Sequence, residues 1–338
     1  MKPHQADFTQ LLAVLRREVP ARPVLFELFM NLPLYERVNG EKLVSDDPLN
    51  KARFTVRAFH KMGYDYTTLH ASAFRFVGEA KMKHTRSMNI GAGIADERSF
   101  EAYPWMEPED FSTDILHDIL PDLPEGMKLM VMGPGGVLEN VIELTGYENL
   151  CLMLYDDPSL ARRIFDAVGE RLVRYYRLAL QHESVGLISS NDDWGFNSQP
   201  FLSPDMMREY VFPWHRKIVD TVHAAGRPVF LHSCGNLKSV MDDVIAMGYD
   251  AKHSFEDKIL PIEQAYEEYG PRIALLGGLD MDYLCTHPEE EIYRRTLAML
   301  DRTAVRGGWA VGTGNSVPEY LPAEALFAMH RAARDFAG

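Results

Sequence analysis

Apolar residues recur along the chain in one repeated theme: a short continuous run, a polar or glycine-rich turn, then a longer stretch with apolar positions three and four apart. The short runs predict strands over 24–29, 64–70, 128–133, 185–190, 228–232, 250–254, 273–277 and 309–312. The longer stretches predict helices over 156–182, 203–225, 237–247, 261–269, 289–305 and 322–336. Runs that are apolar throughout suit strands covered on both faces, as in a parallel sheet. Eight of them alternating with helices, with no Pro/Gly/Ser-rich linker between, predict an α/β fold in which 1–338 form a single (β/α)8 TIM barrel. A doubly wound open sheet is the alternative, but no GxGxxG follows any of the strands. One interval breaks the rhythm. Residues 71–126, after the second strand, are too long for an ordinary βα connection and are expected as a rim insertion, a lid or docking surface or a purely structural cover. Within it, 86–100 with Gly91 and Gly93 suggests a hairpin and 108–119 a helix.

Composition narrows the class of partner. A net charge of −14 and a pI near 5.3 argue against a nucleic-acid or anionic-membrane surface, leaving small molecules and proteins. Cys151, Cys234 and Cys285 lie far apart with no CxxC spacing, so no disulfide framework is expected and a reducing cytoplasm fits best. Residues 1–17 are amphipathic and no run reaches a membrane span, so the chain is expected to be soluble and not exported.

In a barrel the chemistry lies at the carboxyl ends of the strands. The fifth run ends in His232-Ser233-Cys234-Gly235, where an imidazole and a thiol two residues apart can point to one side. These are ligand types that zinc takes, although two ligands make half a site; the alternative is a buried cysteine acting as a small hydrophobe beside a satisfied histidine. The other strand ends offer Glu27 and Asn31, His70, the pair Asp192-Asp193 with Trp194, His253 with Glu256, Asp280, and Asn315. Adjacent Asp192 and Asp193 point in opposite directions, so one is expected at the axis and the other as a cap or orienting group. Gly133-Pro134-Gly135-Gly136, with Glu139 beyond, lacks the Lys-Ser/Thr pair of a phosphate loop. There is no GxSxG elbow, and the methionines of the long helices read as packing. His215 and His223 read as packing or surface residues away from the mouth.

The stretches 187–204 (LISSNDDWGFNSQPFLSP), 228–236 (PVFLHSCGN), 273–280 (IALLGGLD) and 312–322 (GTGNSVPEYLP), in that order, resemble the uroporphyrinogen decarboxylase superfamily, a (β/α)8 group that includes zinc-dependent corrinoid methyltransferases. The decarboxylases carry an arginine-bearing MRQAGR-like segment after the first strand; here 26–33 has no arginine, so a polycarboxylated tetrapyrrole lacks its cationic partners. The resemblance is therefore closer to the methyltransferase branch. It implies His232 and Cys234 as zinc ligands, and it places Asn315 where the thiol-activating members have a further cysteine. The third ligand is then expected from Glu256, with His253, Asp280 and Glu139 as alternatives. A His/Cys/carboxylate set would suit an oxygen-linked methyl group. The implied activity is methyl transfer between a small substrate and the cobalt of a separate corrinoid protein, because no DxHxxG motif occurs in this chain. Asp192, Asp193 and His253 are the expected catalytic groups, and Glu27, Asn31, His70, Trp194 and Asn315 the expected substrate contacts. A metal-free decarboxylase and a catalytically silent tetrapyrrole or corrinoid carrier are the competing readings.

Overall fold

Seven of the apolar runs form a parallel sheet in sequential order: β1 (Tyr66–His70), β2 (Lys128–Met132), β3 (Val185–Asn191), β4 (Val229–His232), β5 (Ala251–His253), β6 (Ala274–Leu276) and β7 (Trp309–Ala310). The computed structural model describes residues 4–76, 88 and 93–337. Leu129, Ile188, Val229, Phe230 and Leu275 are fully buried, as strands flanked by helices on one side and an interior on the other require. The helices follow the predicted stretches with trimmed ends, among them Pro158–Ala179, Phe212–Ala224, Glu289–Thr303 and Ala323–Ala337. The result is a TIM-barrel-like α/β fold. Among the described residues no helix is long and apolar enough to cross a membrane.

The predicted first strand does not form as a regular strand. Its segment does lie between β7 and β1: Phe26 N donates to Val311 O at 2.8 Å, and Val311 N to Val24 O at 2.8 Å. On the β1 side, side chains replace the ladder. The Tyr66 hydroxyl lies 2.7 Å from Glu27 N and 2.5 Å from Glu27 O, and Thr68 Oγ1 donates to Leu28 O at 2.6 Å. A phenol and a threonine hydroxyl thus satisfy main-chain groups that a paired strand would otherwise satisfy. The segment still contributes to the interior, since the Phe26 ring lies 5.3 Å from both Phe230 and His253. Burying such a ring contributes roughly 1.5–3 kcal/mol.

Between β1 and β2 the described residues hold short helical turns and no strand. Most of the expected hairpin over 86–100 lies outside the described residues, and its last part is instead the start of a helix, Glu97–Ala102. There Asp96 caps Ser99 N and the Ser99 hydroxyl caps Asp96 N in return, which selects the helix. The predicted 108–119 helix is broken into a 3₁₀ turn, Pro108–Asp110, and one α-turn, Ile115–Asp118. This stretch is tied to helix Pro158–Ala179: Arg163 bonds Glu97 and Glu101, Arg171 and Arg174 bond Glu107, and Arg171 stacks 4.7 Å from the Trp105 ring.

Candidate metal-binding site

Register brings the site together. His232 closes β4 directly beside His253, which closes β5, and Asn191 of β3 pairs with His232 from the other side. After His232 the chain turns through Ser233 and Cys234 to Gly235, whose φ of +93° and contact with Gly195 exclude a side chain: a Cβ there would stand 2.2 Å from Gly195 O. The turn aims the Cys234 main-chain N–H at Asp193 Oδ1, 2.8 Å away. His232 Nε2 lies 3.8 Å from that oxygen and 3.9 Å from Cys234 Sγ. Asp193, His232 and Cys234 therefore offer an oxygen, a nitrogen and a sulfur within 4.8 Å of one another.

The hydrogen bonds behind this cluster decide which histidine nitrogen is free. His253 Nε2 faces the carbonyl of Thr313 at 3.1 Å, and a carbonyl only accepts, so this nitrogen carries the proton. Burial holds His253 well below the usual imidazole range and His232 down at about 3, so both rings are neutral. His253 Nδ1 is then the acceptor of the 2.8 Å bond between the rings, and His232 Nδ1 is its donor. That leaves the His232 Nε2 lone pair bare and turned toward Cys234 and Asp193. Such a fixed tautomer is what an outer partner gives a metal-binding histidine.

Asn315 contacts the sulfur in a defined sense. Its Oδ1 accepts from Ser316 N at 2.7 Å, so the group 3.2 Å from Cys234 Sγ is the Nδ2 amide donor. Asn315 is thus a hydrogen-bond donor to sulfur and offers no lone pair to the cluster. Burial, followed by the Asp193 carboxylate, pushes the Cys234 thiol up to about 12. A cation among the three donors would offset both effects. The donor chemistry suits zinc, with three protein ligands of mixed N, S and O type.

Several expected residues lie elsewhere. Glu256 is outside the donor cluster: it sits three residues past the end of β5 and lines a small cavity of about 30 Å³ with Lys252, Gly235 and Lys238. Asp193 takes its place because the Cys234 N–H anchors it there. Asp192 is fully buried with its back to the cluster, accepting from Leu138 N and Glu139 N at 2.9 Å, where it caps helix Val137–Thr145. Its Oδ2 also meets His215 Nε2 at 2.8 Å, and His215 is a fully buried link onward to the Tyr249 hydroxyl at 2.6 Å. Trp194 is fully buried against Phe212 and His215. Asn31 caps helix Leu32–Asn39 and donates to Pro318 O at 2.9 Å, and Asp280 caps helix Met281–Thr286. Glu27 is buried on Thr313, while His70 is exposed at the end of β1. Glu139 accepts from Gly136 N and is pushed up by burial and by the charges of Asp192 and Asp193.

Residues 122–336 match the family described as "Uroporphyrinogen decarboxylase (URO-D)". The chain belongs to this family. A uroporphyrinogen decarboxylase of Roseiflexus sp. (strain RS-1) is 23% identical over 185 residues, 52% of this chain and 49% of that protein, so the chain spans about half the length of this curated relative. Among solved structures, a methyltransferase from Methanosarcina mazei superposes over 99% of this chain and 100% of its own with a TM-score of 0.71 at 16% identity, a likeness of fold. The URO-D match holds Asp193, His232, Cys234 and Asn315 but begins after the segment that carries Glu27.

Two groups around this URO-D site escaped the sequence reading. Lys252 is buried in β5, with Nζ donating to Ser233 O at 3.1 Å and to Ser254 O, and burial pulls it down to about 8. A lysine in the middle of a stretch expected as an interior strand, 250–254, was itself the available signal, since lysine is almost never buried without partners. Thr313, the hub beside His253, had no such signal.

Proposed function

We propose that this URO-D family member transfers a methyl group between a small, oxygen-linked methyl substrate and the cobalt of a separate corrinoid protein. The observation that carries the reading is the cluster of Asp193, His232 and Cys234, with the His232 Nε2 lone pair directed into it. These three residues would hold zinc and leave a coordination position open to substrate. Bound zinc supplies Lewis acidity toward the heteroatom bearing the methyl group and makes it a better leaving group. His253 keeps the His232 ring in register, and the Asn315 amide draws electron density from the sulfur. With an amide where thiol-activating relatives have a second thiolate, the donor set is harder, which favours an oxygen over a sulfur substrate.

Decarboxylation is the second reading, favoured by the name of the Roseiflexus relative. Against it stand the absence of arginine from 26–33 and the burial of Asp192 as a helix cap. The test is zinc content per chain under reducing conditions for the parent and Cys234→Ser, with methyl transfer from methoxylated small molecules to cob(I)alamin measured alongside. The expected result is one zinc per parent chain, lost together with transfer in the variant. A parent without stoichiometric zinc, or one that removes carboxylates from uroporphyrinogen, overturns the proposal.

A further inference from the structure

Thr313 reaches both halves of the donor cluster at one remove, through His253 and through Asn315, using different atoms. Its carbonyl accepts from His253 Nε2 at 3.1 Å and so sets the tautomer that bares His232 Nε2. Its hydroxyl bonds the Asn315 carbonyl, holding the residue whose amide donates to Cys234 Sγ at 3.2 Å. Thr313 is in turn gripped by Glu27: Thr313 N donates to Oε1 at 2.9 Å, and Oγ1 lies 2.5 Å from Oε2.

The protons can be counted. A threonine hydroxyl has one hydrogen, and the Asn315 carbonyl only accepts, so the hydroxyl hydrogen goes to Asn315. The contact between Thr313 Oγ1 and Glu27 Oε2 then needs its hydrogen on the carboxyl, with Glu27 donating as a neutral acid. Its surroundings agree: Glu27 is fully buried, no cation is bonded to it among the described residues, and burial pushes it up to about 8.

We infer that Glu27 is a positioning residue which, as a protonated acid on Thr313, orients both the imidazole and the thiol of the donor cluster. It touches neither ligand and acts through two arms, Thr313 O to His253 to His232, and Thr313 Oγ1 to Asn315 to Cys234. The inference rests on His232 and Cys234 acting as a pair of donors, but not on the identity of the substrate. A protonated carboxyl and a carboxamide present the same pattern to Thr313, one donor and one acceptor, so Glu27→Gln should preserve both arms. Glu27→Met removes both, and Thr313→Val removes only the hydroxyl arm.

The experiment uses the full chain with zinc alone as the probe. The readouts are zinc affinity by chelator competition, the His232 tautomer by ¹⁵N NMR, and the alkylation rate of Cys234 by peptide mass mapping in metal-free protein. Glu27→Gln is expected within about twofold of the parent in all three. Glu27→Met is expected to weaken zinc by roughly 10- to 100-fold, the range for a disturbed outer partner, to mix the tautomers, and to change Cys234 reactivity. Thr313→Val should change Cys234 reactivity while leaving the tautomer intact. Parent-like behaviour in Glu27→Met overturns the inference, as does Glu27→Gln behaving like Glu27→Met. If Glu27→Met does not fold, a Thr313→Val protein with unaltered Cys234 reactivity overturns it. The tautomer and alkylation readouts need no methyl transfer, so failure of the proposed activity would be seen separately.

Discussion

At the carboxyl end of the sheet, His232, Cys234 and Asp193 meet within 4.8 Å, held respectively by His253, by the Asn315 amide and by the Cys234 main-chain N–H. At the amino end a larger cavity of about 510 Å³ is lined by His4, Arg22, His60, Lys61, His330 and Arg334. There the polar groups are claimed separately, His4 and Arg22 by Asp65 and the others elsewhere. The His4 and His60 rings are 5.9 Å apart, His330 turns its Nε2 to the Tyr64 hydroxyl at 3.0 Å, and Arg22 is bonded to buried Asp65 at 2.5 Å. The amino-end cavity has more titratable groups and the donor cluster has convergence. Donor atoms aimed at one point are what a bound ion requires, and volume does not supply them.

The largest expected effect concerns a residue beside the cluster and not in it. Asp192→Ala should destabilise the fold by about 3–5 kcal/mol, because it strands buried His215 and uncaps Leu138 N and Glu139 N. Denaturant unfolding checks it, and a loss below 1 kcal/mol would place Asp192 on the functional side of the comparison. Next comes the third donor. Asp193→Asn should lower zinc affinity by at least roughly 10- to 100-fold, with Glu256→Gln remaining close to the parent. The reverse order in a chelator competition would return the ligand role to Glu256.

The smallest effect tests the amino end. Burial and the charge of Arg334 hold His330 down at about 3, whereas an unfolded histidine titrates near 6.5. Between these values the unfolded chain binds a proton that the native one does not, so stability is full above pH 6.5 and falls as pH drops toward 3. In metal-free protein, His330→Gln should reduce this loss between pH 6 and 5 by at most about 1.4 kcal/mol. An unchanged slope would show that His330 is already protonated and would make the amino-end cavity a charged site.

How much of this was legible depends on the distance over which each feature is decided. The spacing of His232 and Cys234 was readable because both side chains belong to one strand end, and the opposite facing of Asp192 and Asp193 follows from backbone alternation. The choice between Asp193 and Glu256 was not readable. It turns on one main-chain N–H, that of Cys234, reaching across from β4 to the end of β3. Trp194 and Asn31 looked like contacts because they stand at strand ends, yet packing and helix capping claim them.

Strand order, helix placement and the His232–Cys234 pair were legible in the sequence alone, because apolar periodicity and residue spacing are local properties. The irregular first segment was decided by the Tyr66 and Thr68 hydroxyls, which come from a different part of the chain and replace a ladder that the apolar run 24–29 would otherwise have made. The free nitrogen of His232 was likewise decided only in three dimensions. It depends on a carbonyl 81 residues further along the chain, at Thr313, acting through His253, and no pattern within either strand encodes which way that chain of hydrogen bonds runs.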